Sequence, residues 1–148
     1  MNDDELVAGI RETFETLDPV PAAVLAAARA SIAWRAPSAR LAELAHDRDG
    51  HAAGVRGGRP RTLTFTCPDA TVEIEVSPEG RYREIHGRLD PSAAALVEVR
   101  HRDLPPGGIT ARTDPAGMFW LPRVPAGLVS LILRLDDGTS IVTSWIRL

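Results

Sequence analysis

From Arg61 to the C-terminus, apolar side chains recur at every second position, and each alternating run stops at a Gly, Pro or Asp turn. Such a pattern presents one apolar face only when the backbone is extended, so this region is confined to half-buried β-structure. Leu63, Phe65 and Cys67 alternate with Thr62, Thr64 and Thr66; Val72, Ile74 and Val76 alternate with Thr71, Glu73 and Glu75. Cys67-Pro-Asp-Ala70 and Ser77-Pro-Glu-Gly80 are turn sequences, so the first two runs are expected to form a hairpin. The run 81–89 changes phase near Glu84, where a bulge would reconcile Tyr82 with Ile85 and Leu89. Further strands are expected around Val97 and Val99, Ile109 and Ala111, Phe119 and Leu121, Val129 to Leu135, and Ile141 to Ile146, about eight in all. Asp114, Pro115 and Gly117 suit a tight turn joining the 109–113 strand to the Phe119 strand as a hairpin. Asp136-Asp-Gly138 predicts another hairpin.

Upstream the grammar changes. Residues 2 to about 47 are Ala-rich and read as helix. Asn2 or Asp3 can cap a first helix, and Leu6, Ile10, Phe14 and Leu17 then fall on one face. Asp18-Pro-Val-Pro21 ends that helix and opens a second, from about Pro21 to Arg35, with Val24, Leu25, Ile32 and Trp34 among its larger apolar residues. A short third helix is expected over about 38 to 46, carrying Leu41, Leu44 and Ala45. Residues 48–60 hold four glycines and read as a flexible linker. The expected organisation is a helical segment 1–47, a Gly-rich linker 48–60 and a β-sandwich 61–148, an α+β chain.

Composition restricts the partners. The 148 residues are 44% hydrophobic and 25% charged, enough for a core without suggesting disorder. No apolar run approaches the roughly 18 residues a membrane helix needs. A net charge of -3 gives no broad electrostatic footprint for nucleic acid or an anionic membrane, so neither is expected as a partner. The N-terminus Met-Asn-Asp-Asp-Glu-Leu6 lacks the basic and apolar regions of a secretory leader, which favours a cytoplasmic address. All seventeen basic residues are Arg, a bias expected of a GC-rich, actinobacterial genome. The single cysteine, Cys67, forms no internal disulfide and, in phase with Leu63 and Phe65, is expected in the core.

One stretch is more specific. Gly87-Arg-Leu89, Ala95-Leu-Val97-Glu-Val99, Thr113-Asp-Pro-Ala-Gly117-Met-Phe119, Val124-Pro-Ala-Gly127 and Leu131-Ile-Leu133 occur in that order. Over about residues 85–148 this resembles the carboxypeptidase regulatory-like domain. That resemblance implies an antiparallel, prealbumin-like (transthyretin-like, Ig-like) β-sandwich. Such domains are mostly non-catalytic scaffolds attached to something else. No peptidase domain, zinc motif or outer-membrane barrel accompanies it here.

The chemistry-bearing residues point the same way. His46, His51, His86 and His101 include no pair at i, i+2 or i, i+4, and there is no H-E-x-x-H, so no metal is expected. His86 and His101 could meet only across strands. No G-x-S-x-G, P-loop or dinucleotide fingerprint is present, no nucleophile has a base beside it, and no cofactor is implied. The expectation is a non-enzymatic protein-interaction or regulatory chain. Its helical arm would bind a protein partner through Leu6, Ile10, Phe14, Leu17 and Trp34, with Trp120 outward on the sheet as a further contact. One version is a regulator of a sigma factor, loosely like an anti-sigma helical segment without its H-x-x-x-C-x-x-C zinc motif. The alternatives are a carbohydrate-binding module, for which Trp120 and Trp145 are candidate platforms, and an accessory subunit of an enzyme.

Overall fold

The computed structural model describes residues 2–31, 35–36, 38–49 and 59–148. The chain divides into two compact units, residues 1–35 and 36–148.

The first unit contains two helices, α1 (Asp3–Leu17) and α2 (Ala22–Ala30). Asn2 caps α1 through a reciprocal arrangement: its side chain accepts from the Glu5 N–H at 2.8 Å, and Glu5 accepts from the Asn2 N–H at 3.2 Å. Two of the orphan donors of the first turn are thereby satisfied, beside the acids Asp3, Asp4 and Glu5 that suit the positive end of the helix dipole. Pro19 and Pro21 separate the helices, and Pro21 stands as the cap residue of α2. The α2 helix ends at Ala30, short of the expected Arg35; residues 32–34 lie outside the described residues.

The second unit is a mostly antiparallel sheet of ten strands: β1 (Arg40–Asp49), β2 (Arg61–Cys67), β3 (Ala70–Glu79), β4 (Tyr82–Asp90), β5 (Ala95–Arg100), β6 (Thr110–Arg112), β7 (Met118–Pro125), β8 (Leu128–Leu135), β9 (Ser140–Thr143) and β10 (Ile146–Arg147). Nine follow one path, β6-β5-β8-β9-β1-β2-β3-β4-β7, and β10 pairs with the start of β8. The only parallel pairing among them joins β1 to β9. Alternation holds as read. Leu63, Phe65, Val72, Ile74, Ile85 and Leu89 face a core shared with Val97, Val99, Leu131, Leu133 and Ile141 from the other half of the path.

Three expectations are corrected. The third helix expected over 38–46 is strand β1, and the helical segment accordingly stops at 35 instead of 47. The glycine-rich residues 48–60 therefore connect two paired strands of one sheet and do not divide two domains; residues 50–58 of that stretch lie outside the described residues. The third correction concerns residues 109–119, which do not form a hairpin ladder. β6 pairs with β5 and β7 pairs with β4, so the turn between them ties together the two ends of the sheet path.

That turn explains its own sequence. The Thr113 hydroxyl accepts from the Ala95 N–H at 2.8 Å and donates to the Ala93 carbonyl at 2.7 Å, anchoring the β5 side. The Asp114 carboxylate accepts from the Ala116 and Met118 N–H groups, and the Gly117 carbonyl accepts from the Leu89 N–H on the β4 side. Gly117 has φ +78°, and a Cβ there would lie 2.4 Å from the Leu89 carbonyl oxygen. Gly87 is needed for a different reason: the Phe119 ring lies directly over it, within 2.0 Å of where a Cβ would stand.

A further expectation is corrected: β4 itself has no bulge near Glu84, since it keeps unbroken register with β3 from Tyr82 to Asp90, and the irregularity lies on its other partner, β7. Between the pairs Arg83↔Val124 and Ile85↔Leu121, Glu84 faces both Pro122 and Arg123. Arg123 takes φ +58°, an uncommon conformation for a side-chain-bearing residue, and its guanidinium lies 4.5 Å from the centre of the Tyr82 ring.

Because β1 is an interior strand, a fragment of residues 36–148 should melt cooperatively near the parent temperature. One beginning at Arg59, which lacks β1, should show no cooperative transition; an unchanged melt of the shorter fragment would contradict the topology. In the longer fragment, Gly117→Val should lose about 1–3 kcal/mol in urea unfolding.

Candidate functional site

Two surfaces carry the residues singled out from sequence, one in each unit. On α1 the stripe Leu6, Ile10, Phe14 and Leu17 faces solvent, from 46% exposed at Leu6 to 78% at Leu17. A groove of about 380 Å³ runs beside Glu5, Leu6, Gly9, Ile10, Thr13 and Phe14. Val24 and Leu25 of α2 are also exposed, and Trp34 lies outside the described residues. Residues 2–18 hold six acids against Arg11 alone, so the apolar stripe is set in a negative surround.

The second surface is the outer face of β2, β3, β4 and β7. Antiparallel register places Trp120 opposite His86, His86 opposite Glu75, and Glu75 opposite Thr62, in one row across four strands. The adjacent row is Met118, Arg88, Glu73 and Thr64. Trp120 points outward, as its phase predicts, and is 54% exposed. Its indole N–H donates to Glu84 Oε1 at 2.7 Å, and the same oxygen lies 3.1 Å from His86 Nε2. The Trp120 and His86 rings are nearly parallel, 20° apart, with centres separated by 6.3 Å. One carboxylate thus fixes two neighbouring rings. Beside them lies a groove of about 240 Å³ lined by Thr62, Glu73, Glu75, His86, Gly87, Arg88 and Met118.

Sequence reading identified Trp120 alone in this cluster. The available signal was the pair Glu84 and His86, two apart and therefore on one face of a strand. Their link to Trp120 depends on the β4–β7 register, which the phase change at Glu84 hints at without defining.

The other residues considered have structural partners. His101 is buried; its Nδ1 accepts from the Asp103 N–H at 3.0 Å and its Nε2 lies 3.1 Å from the Ala126 carbonyl, an arrangement of the neutral ring with its proton on Nε2. It shares no partner with His86. Cys67 is half-buried against the core, with its sulfur 3.6 Å from the Ala70 carbonyl. Trp145 is partly exposed, with the Arg100 guanidinium 5.3 Å from its ring centre. Among the described residues, no group of three or more His, Cys, Asp or Glu side chains is placed to hold a metal ion. No protein family, curated protein or solved structure matches the chain.

The most buried carboxylate among the described residues is Glu98 on β5. It accepts from the Gly107 N–H at 2.6 Å and pairs with the Arg134 guanidinium. Burial pushes its carboxyl up, but the Arg134 and Gly107 hydrogen bonds and the charges of Arg134 and Arg100 together hold it below the ordinary glutamate value. The stabilisation this gives is complete above the pKa of a glutamate in the unfolded chain and is lost as pH falls through the lowered native value. Glu98→Gln should therefore destabilise by about 1–3 kcal/mol at neutral pH. Its deficit relative to the parent should shrink on acidification, as followed by urea unfolding across the acid range; a deficit independent of pH would exclude this role.

Proposed function

We propose that the chain is a non-catalytic interaction protein in which the helical unit binds a protein partner and the β unit serves as scaffold. The observation that carries this reading is the α1 stripe: Leu6, Ile10, Phe14 and Leu17 lie on one face and remain largely in contact with water. Leaving four large apolar side chains exposed on a capped helix is unfavourable by the transfer free energy their burial would recover, on the order of 1.5–3 kcal/mol each. A helix-in-groove complex would recover it. The acids around the stripe favour a groove rimmed by Arg or Lys and disfavour a second acidic copy of α1. Regulation of a sigma factor from a cytoplasmic location is one form of this reading.

For the β unit we infer a prealbumin-like sandwich of the carboxypeptidase regulatory-like kind. In support, the Gly87 and Phe119 of the motif pack on each other, Gly117 occupies a left-handed turn, and Thr113 ties that turn to β5. These are scaffold roles, in keeping with a domain that holds another element in place.

A photo-crosslinking side chain at Leu17, introduced into the full chain in its own cells, should give one discrete protein adduct. Ile10→Ser with Phe14→Ser should abolish that adduct while leaving the melt of the β unit within about 1 kcal/mol, since the changes lie in the other compact unit. A sigma factor in the adduct would support the specific form. No discrete adduct, or one unaffected by the double change, would overturn the reading.

A further inference from the structure

The outer face of β2, β3, β4 and β7 has features that a bare scaffold does not require. An exposed tryptophan on a sheet is costly when nothing covers it, and here the ring is held in a fixed orientation. Glu84 Oε1 accepts from the Trp120 indole N–H at 2.7 Å and lies 3.1 Å from His86 Nε2. The bulge at Pro122 and Arg123 sits opposite Glu84, the position from which its carboxylate reaches both rings. The two rings stack nearly parallel, with 20° between their planes and centres 6.3 Å apart, while about half of Trp120 stays exposed. Along the next step of the strands, the groove of about 240 Å³ adds Glu73 and Glu75 as acceptors, Arg88 as a donor and Thr62 as both.

We propose that this face binds a saccharide, with a pyranose ring packed on the exposed Trp120 indole and its hydroxyls bonded in the groove of Glu73, Glu75, Arg88 and Thr62. A sugar ring presents an apolar C–H face to an aromatic plane and a rim of hydroxyls that both donate and accept. That combination matches an exposed, anchored indole beside a groove of mixed donors and acceptors. A cationic side chain fits less well. Cation sites enclose the charge between several ring faces, whereas these two rings stack on each other and Arg88 stands in the same groove. An apolar peptide fits less well again, because Met118 and Gly87 are the only groove residues without a polar side chain. The site is independent of the α1 stripe, so either surface can be tested without the other.

The test is calorimetric titration of the full chain with maltohexaose, cellohexaose and chitohexaose, and with a basic decapeptide for comparison. At least one oligosaccharide should bind in about the millimolar range or tighter. Trp120→Ala should weaken that binding at least about tenfold, and Trp145→Phe should leave it unchanged. Glu84→Ala should weaken it as well, because the indole then loses its anchor. Glu84→Gln should restore most of the loss, since the amide oxygen still accepts from the indole N–H. Because Trp120 and Glu84 are on the surface, an unchanged melt for each variant separates lost binding from lost folding. Binding that survives Trp120→Ala, heat from the basic peptide alone, or no heat with any of the three saccharides would overturn the proposal.

Discussion

The β unit depends on one strand that pairs on both sides while burying almost nothing. β1 runs parallel to β9 from Arg40 to Ala42 and then antiparallel to β2 from Glu43 to Asp49. It thereby joins the half of the sheet path built on β5, β8 and β9 to the half built on β2, β3, β4 and β7. Ala42, fully buried at the change of partner, is the one β1 side chain in the core among those described. The handover is stitched by Ser144, whose N–H donates to the Ala42 carbonyl and whose hydroxyl accepts from the Leu44 N–H. Further along, Arg61 clasps Asp47 with two parallel hydrogen bonds and reaches the Arg147 carbonyl with a third, so β1, β2 and β10 share one guanidinium. Without β1, β9 and β2 would each present an unpaired edge.

That dependence explains what could and could not be read from the residues. Leu63, Phe65, Val72 and Ile74 each contribute an inward side chain, so their strands announce themselves at period two, and the Pro-Asp and Asp-Gly turns fix which of them pair. A cap on α1 at Asn2 or Asp3 was visible for the same reason, being local; its reciprocal partner Glu5 was not read. β1 was not visible. Its sequence, Arg40-Leu-Ala-Glu-Leu-Ala-His-Asp-Arg-Asp49, consists largely of good helix formers, with Leu41, Leu44 and Ala45 at helical spacing. With one side chain in the core, it has no alternation to show. Backbone ladders on both flanks, formed by residues distant in sequence, override that local preference.

The same contrast divides the candidate surfaces. The α1 stripe follows from helical periodicity, which places Leu6, Ile10, Phe14 and Leu17 on one face. On the sheet, the outward phase of Trp120 was legible but its partnership with Glu84 and His86 was not. That partnership needs Arg123 in a left-handed conformation and an extra residue on β7, neither of which sequence alternation encodes. The scaffold thus explains both a fixed polar-aromatic face and the motif residues behind it: Gly87 lies under Phe119 on the inner side, while His86 and Trp120 pair on the outer side.

The claim on which this account rests most heavily is the interior position of β1. Native-state amide hydrogen exchange tests it directly, because the amides of a strand paired on both sides exchange by global opening while those of a free or fraying segment exchange locally. The amides of β1 that ladder to β2 should exchange with the same opening free energy as those of Ile74 and Leu133. Rapid exchange throughout β1 beside slow exchange at Ile74 would show that residues 40–49 are not part of the sheet.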